Sequence, residues 1–230
     1  MKILDKITSL IFCWIIFLLI TSCQKMITDF GFDAAISGRV IDETVNIVAG
    51  DITSGILLVQ AMGDGDNETI DMRVKGDGTY QNTKLFPKKY RIWITGLVTP
   101  VNDTLRVDFT TDKVIVNDFV VIPLITVNKP AVVGSPTATS VNVSYDMTAN
   151  SGNVIKKCEL YCSTVPYPNA STGSGPFYNT VNVTLSIGSG TITVTGLTAN
   201  TNYFLRIGAK SVGVPGMNYS EQITFKTPAK

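Results

Sequence analysis

Val181-Asn182-Val183-Thr184-Leu185-Ser186-Ile187 sets an apolar side chain at every second position. That period belongs to a β-strand, whose successive side chains point to opposite faces, so one face is expected in a core and the other in water. The same alternation recurs in Leu105-Arg106-Val107-Asp108-Phe109 and in Val141-Asn142-Val143-Ser144-Tyr145. Turn-forming clusters separate such runs: Gly63-Asp64-Gly65-Asp66-Asn67, Gly76-Asp77-Gly78, Pro87-Lys88-Lys89 and Gly188-Ser189-Gly190. Glycine, aspartate and asparagine accept the bent and left-handed conformations of tight turns. No stretch carries a sustained helical period. The expected class is all-β.

The 230 residues, 44% of them hydrophobic, suffice for two ordinary domains with buried cores. A seam is expected between Pro123 and Pro136, because Val114 to Ile122 closes one set of strands and Pro130 and Pro136 bracket a new start. The reading is two tandem β-sandwiches, over 35–124 and 125–230. Each is about 90 to 100 residues long, typical of seven-stranded sandwiches.

Residues 1–22 read as an export signal: basic Lys2 and Lys6, an apolar stretch from Ile7 to Ile20, then Thr21 and Ser22. The apolar stretch falls short of the roughly 20 residues that cross a bilayer as a helix. Ile20-Thr21-Ser22-Cys23 resembles the bacterial lipobox, which implies acylation of Cys23 and its exposure as the first residue of the mature chain. Acyl chains contribute roughly 0.8 kcal/mol per buried methylene, so two or three of them hold a protein to a membrane durably. The competing reading is a short membrane anchor with an incidental cysteine. Residues 23–34 lack an apolar period and are expected to act as a tether.

Ser37-Gly38-Arg39-Val40-Ile41-Asp42, Gly76-Asp77-Gly78-Thr79-Tyr80 and Leu85-Phe86-Pro87-Lys88-Lys89-Tyr90 together resemble the carboxypeptidase regulatory-like (prealbumin-like) domain. In that likeness Gly78 serves a tight hairpin, and Tyr80 and Tyr90 are large inward anchors on neighbouring strands. Lys88 stands where that family has glycine. Leu197 to Ile207, with Tyr203 in its middle, resembles the segment leading into the sixth strand of a fibronectin type III domain, and Tyr219 to Thr227 its last strand. The resemblance implies a tyrosine corner, in which the Tyr203 hydroxyl bonds back to the chain a few residues earlier. Ala199 replaces the usual proline, and Tyr145 is expected to fill the volume of the usual second-strand tryptophan. Both halves in this order behind a lipobox resemble an uncharacterised lipoprotein family of Bacteroidetes, with Val74 to Phe86 as the most specific stretch. Members often accompany SusC/SusD-like polysaccharide-uptake systems. The likeness thus implies an outer-membrane, lipid-anchored accessory role, with the domains expected on the cell surface rather than the periplasmic face.

The residues exclude much chemistry. Without any histidine, neither Ser-His-Asp nor Cys-His catalysis nor a histidine-ligated zinc is available. After removal of 1–22, 17 basic and 17 acidic side chains remain, and no Lys/Arg cluster exists beyond the pairs Lys88-Lys89 and Lys156-Lys157. Nucleic acid is therefore not an expected partner. Cys158 and Cys162 lie four residues apart on one strand, roughly 13 Å at about 3.3 Å per residue, beyond the ~7 Å reach of a disulfide. They are expected to be small core side chains.

Several residues remain as candidates. Asp64, Asp66 and Glu68 alternate in a glycine-rich loop and offer oxygen ligands to calcium, although the full calcium-loop pattern is missing and such loops favour Asp for backbone reasons alone. No metal or other cofactor is expected. In Tyr90-Arg91-Ile92-Trp93-Ile94-Thr95 the alternation turns Tyr90, Ile92 and Ile94 inward, leaving Arg91 and Trp93 on the other face. A tryptophan beside an arginine there suits a sugar or a protein, unless a loop or the other domain covers it. Tyr167, Phe177 and Tyr178, in a loop stiffened by Pro166, Pro168 and Pro176, form a second aromatic candidate, with packing at the sandwich edge as the alternative. Asp103-Thr104-Leu105 resembles a short bacterial O-glycosylation signal at Thr104. No sequence neighbourhood singles out the carboxylate pair of a glycoside hydrolase. The expectation is a non-enzymatic accessory protein binding glycan or a SusC/SusD-like outer-membrane protein. A structural spacer or adhesin-like module and a cryptic glycoside hydrolase are the alternatives.

Overall fold

The alternating runs form strands throughout the residues that the computed structural model describes, 31–51, 54–172 and 180–230, and no helix occurs among them. In chain order the first ten are β1 (Ala34–Ile41), β2 (Leu58–Gly63), β3 (Ile70–Arg73), β4 (Thr79–Leu85), β5 (Lys89–Thr95), β6 (Val98–Pro100), β7 (Leu105–Asp108), β8 (Val114–Val116), β9 (Phe119–Pro123) and β10 (Ile125–Val127). Then come β11 (Ala131–Val133), β12 (Ser140–Tyr145), β13 (Met147–Ala149), β14 (Ile155–Ser163), β15 (Val181–Thr184), β16 (Gly190–Thr195), β17 (Asn202–Ser211), β18 (Asn218–Tyr219) and β19 (Ile223–Lys226). The all-β sandwich class expected from the alternation is the one found.

One core is built between the sheet β4-β1-β9-β6, with β8 also on β1, and the sheet β3-β2-β5-β7. Strand β1 pairs antiparallel with β4 and parallel with β8 and β9, placing Val40 opposite Phe119. Within each layer inward side chains meet as a ring pair. Tyr80 packs on Phe119 at 5.7 Å, and Tyr90 meets Phe109 edge-on at 5.6 Å. The Tyr80 hydroxyl donates to the Asn117 carbonyl at 2.7 Å, so its buried polar end is satisfied.

Tyr80 and Tyr90 are both inward, 1% and 2% exposed, but they are not neighbours in one sheet. Tyr80 sits on β4 and Tyr90 on β5, in opposite sheets. The connection through Phe86-Pro87-Lys88 crosses between the layers, since Pro87 has no N–H to extend a ladder. The turn at Gly78 likewise joins strands of different sheets, β3 and β4. Gly78 has φ +74°, and a Cβ there would lie 2.4 Å from Ile47 Cγ2. Only glycine meets both demands.

The other core lies between β11-β12-β16 and β15-β14-β17-β18, with β19 also on β17, while β10 and β13 form a short ladder of their own. Tyr145, 9% exposed, belongs to this core. The Tyr203 hydroxyl accepts a hydrogen bond from the Thr198 N–H at 2.9 Å, so the tyrosine corner is formed. Its ring stacks on Phe225 at 5.6 Å. Cys158 and Cys162 are free thiols in the core, 2% and 0% exposed.

The sequence period and the strands part company in two places. β15 ends at Thr184, and although Leu185 is still buried, Ile187 is 61% exposed because the chain has already entered the turn where Gly188 has φ +100°. In β14 and β17 alternation gives way to runs buried on both faces, Leu160 to Ser163 and Leu205 to Ala209. Their outer face is covered by other parts of the chain.

Candidate functional site

The outer face of β3-β2-β5-β7 is the first candidate. Strand β5 lies between β2 and β7, with Trp93 opposite Gln60 and Arg91 opposite both Met62 and Arg106. As the alternation requires, Tyr90, Ile92 and Ile94 are buried, Arg91 is exposed and Trp93 is half-buried. Met62, Arg91, Trp93, Thr104 and Arg106 line a depression of about 340 Å³. An Nη2 of Arg91 lies 3.2 Å from Met62 Sδ. An adjoining depression of about 350 Å³ shares Thr104 and Arg106 and continues to Asn117 and Asp118. The outcome is a half-buried tryptophan flanked by two guanidinium groups on a sheet face. Guanidinium forks donate to hydroxyl and carboxylate oxygens while the aromatic surface takes an apolar ring face.

The second candidate lies where the outer face of β14-β17-β18 meets the chain around Ala49 to Asp51. Arg206, 1% exposed, donates from Nε to the Pro168 carbonyl at 2.5 Å and from Nη1 to the Gly50 carbonyl at 3.2 Å. Its guanidinium stands 3.9 Å from the centroid of the Tyr219 ring. Asp51 accepts from the Asn169 amide at 2.9 Å and from the Tyr219 hydroxyl at 3.3 Å. Burial pushes the Tyr219 phenol up to about 12 and pulls Arg206 below its ordinary value, with Tyr219 and Asp51 opposing the latter. Lower down the joint, the Asn218 amide donates to the Leu97 carbonyl at 2.9 Å and its oxygen accepts from the Ile125 N–H at 3.2 Å. Ala49, Tyr161 and Tyr219 form a small apolar cluster beside this network.

A cleft of about 440 Å³ opens beside the joint, lined among others by Asp51, Lys157, Glu159, Tyr161, Asn182 and Lys210. Two of its lining side chains pack directly on Gly208, where a Cβ would lie 2.8 Å from Tyr219 Cε1 and 2.9 Å from Met217 Sδ. Glu159 is held from both sides, by Lys157 Nζ at 2.8 Å and by the Tyr161 hydroxyl at 2.6 Å. Burial raises its pKa, but the hydrogen bonds from Lys157 and Tyr161 outweigh that and keep the carboxyl below its ordinary value. A glycosidase acid needs the opposite shift, upward, to keep a proton at neutral pH. Sequence reasoning missed Arg206, because Leu205-Arg206-Ile207 reads as a charge on a solvent face. The small residues Gly208 and Ala209 just after it were the available signal of close packing.

The remaining candidates are not brought together. Asp66 is taken up by Lys88, whose Nζ lies 2.5 Å from Oδ2, while Asp64 and Glu68 are exposed. Among the described residues no group of three or more acidic or cysteine side chains is placed to hold a metal ion. Tyr167 has φ +53°, donates its N–H to the Gln222 side chain and lays its ring against Gly76. It is 39% exposed and spans the two cores' surfaces rather than standing free as a platform. Phe177, Tyr178 and Cys23 lie outside the described residues.

Two β-sandwiches joined through a buried polar network define a tandem-sandwich protein as the architectural class. Solved structures share that architecture along nearly the whole described chain. A DUF3823 family protein from Parabacteroides merdae superposes with a TM-score of 0.66 at 17% identity, covering 84% of this chain and 98% of that one. A DUF3823 family protein from Bacteroides ovatus gives 0.66 at 18% identity, over 84% and 97%. A protein from Bacteroides uniformis described as a "putative carbohydrate binding protein" gives 0.67 at 22% identity, over 85% and 100%. These likenesses show a common fold with uncharacterised Bacteroidetes proteins, none of the three named as an enzyme. No family model and no curated protein matches the chain.

Proposed function

We propose that this chain is a non-enzymatic, lipid-anchored accessory protein of the bacterial outer membrane that binds glycan as part of a polysaccharide-utilisation system. The carrying observation is Trp93 with Arg91 and Arg106 around one depression on an outer sheet face. A sugar ring stacks its C–H face on tryptophan while guanidinium groups take its hydroxyls. The carbohydrate-binding description of the Bacteroides uniformis protein points the same way. Anchoring rests on Cys23 behind the apolar stretch Ile7 to Ile20.

Affinity electrophoresis against a panel of soluble polysaccharides tests the reading. Retardation by at least one glycan, abolished in Trp93→Ala, is the expected result. Migration unchanged by every glycan sinks it. Metabolic labelling with a radioactive fatty acid, lost in Cys23→Ala, is expected for the anchor.

A second reading is favoured by the buried joint at Arg206. Two sandwiches locked in this way make a stiff spacer, which would hold a partner protein at a set distance from the membrane.

A further inference from the structure

The cleft beside the joint lies on a different surface from Trp93, and its lining has a distinct charge pattern. Lys157 is neutralised by Glu159 at 2.8 Å. Asp51 is turned inward, 9% exposed and engaged by Asn169 and Tyr219. Lys210 Nζ instead donates to a neutral group, the Pro215 carbonyl, at 3.1 Å. Two lysines and two carboxylates line the cleft, and since the buried Arg206 opposes the Asp51 charge, Lys210 is left as an ammonium bonded to a neutral group. Around it stand the Glu159 carboxylate, fixed on both oxygens, the Asn182 amide opposite Tyr161 on the adjoining strand, and Ser54 and Ser171 at the rim. Tyr161 and Met217 supply apolar surface beside these polar groups, close over the side-chain-free Gly208. The volume of about 440 Å³ falls within the range of small-ligand sites, roughly 300–1,000 Å³.

We propose that this cleft is a second saccharide site, and that it takes a sugar unit bearing a carboxylate. Lys210 receives the carboxylate as a charge-assisted hydrogen bond. Glu159 and Asn182 take ring hydroxyls, the carboxylate accepting from them and the amide both donating and accepting. The inference rests on the saccharide-binding reading for its ligand class, but on none of the residues that carry that reading.

Isothermal titration with uronic-acid oligosaccharides and with neutral oligosaccharides of the same length tests it on the soluble chain starting after the anchor. The expected result is binding of a uronate oligosaccharide, weakened at least tenfold by Lys210→Met. Trp93→Ala is expected to leave it within twofold. Thermal melting of Lys210→Met should match that of the parent, since this side chain is half-exposed and holds only one carbonyl. Uronate binding that survives Lys210→Met but is lost in Trp93→Ala overturns the cleft assignment and leaves the sheet-face reading standing. Binding of neutral sugars alone overturns it as well. Absence of binding by either class overturns both.

Discussion

The Arg206 guanidinium lies 3.9 Å from the centre of the Tyr219 ring, in a place where both side chains are nearly sealed from water. Both belong to the strands of one sheet, yet the groups that complete their hydrogen bonding come from Gly50, Asp51, Pro168 and Ala170. A buried cation is tolerable only with such partners, because its desolvation is otherwise unrepaid. The joint is therefore a polar feature that tolerates little replacement. Arg206→Met is expected to leave the Gly50 and Pro168 carbonyls without their donor and Asp51 without its countercharge, costing about 3 kcal/mol. Differential scanning calorimetry should show a lower melting temperature and a split of one transition into two, as the sandwiches uncouple. An unchanged single transition would show that the joint contributes little.

Trp93 and Tyr90, three residues apart on β5, should behave oppositely when truncated. Tyr90→Ala empties a buried ring site next to Phe109 and is expected to cost about 3–5 kcal/mol. Trp93→Ala removes a half-buried outer-face ring and should change stability by less than about 1 kcal/mol. Urea unfolding of the two variants checks the contrast, and it also separates a glycan-binding defect of Trp93→Ala from misfolding.

Arg39 grips Asp118 through Nη2 at 2.7 Å and Nε at 3.1 Å, and the Arg39 N–H adds a third bond at 2.8 Å. The guanidinium hydrogen bond holds the Asp118 carboxyl below its ordinary value of 3.8. A depressed folded pKa stabilises above the unfolded pKa and is lost as pH falls through the folded one. Asp118→Asn should therefore lower the melting temperature modestly at pH 7 and leave it unchanged at pH 2. Equal effects at both pH values would mean that charge plays no part in the pair.

Burial pushes the Cys162 thiol up to about 12 and raises that of Cys158, to which Glu159 also contributes. The thiolate is the reactive form, and neither sulfur is open to reagent. At pH 8 the soluble chain lacking Cys23 should give no reaction with a thiol-exchange reagent while folded, and two equivalents in denaturant. Rapid reaction of the folded chain would contradict the burial of β14.

The alternation of Val141, Val143 and Tyr145 was enough to place their strand and its inner face, because burial on one side only leaves a period of two in the residues. The Trp93 face was legible for the same reason. The joint was not. Tyr161, Ser163 and Arg206 occupy positions that a single strand assigns to water, and other segments of the chain bury them, Pro168 and Gly50 at Arg206 lying 38 and 156 positions away.

From its amino acids alone, then, the chain declares its class, all-β sandwiches, its want of histidine chemistry and, through the likeness of one segment to a fibronectin type III strand, the tyrosine corner at Tyr203. Those are local properties: a strand's period, a residue's absence, a turn and its neighbour. Which sheet each tyrosine joins, which face of β14 is covered, and where a cleft opens beside Lys210 were decided by tertiary packing. Such features depend on pairs distant in sequence, and no single segment carries the information about its partner.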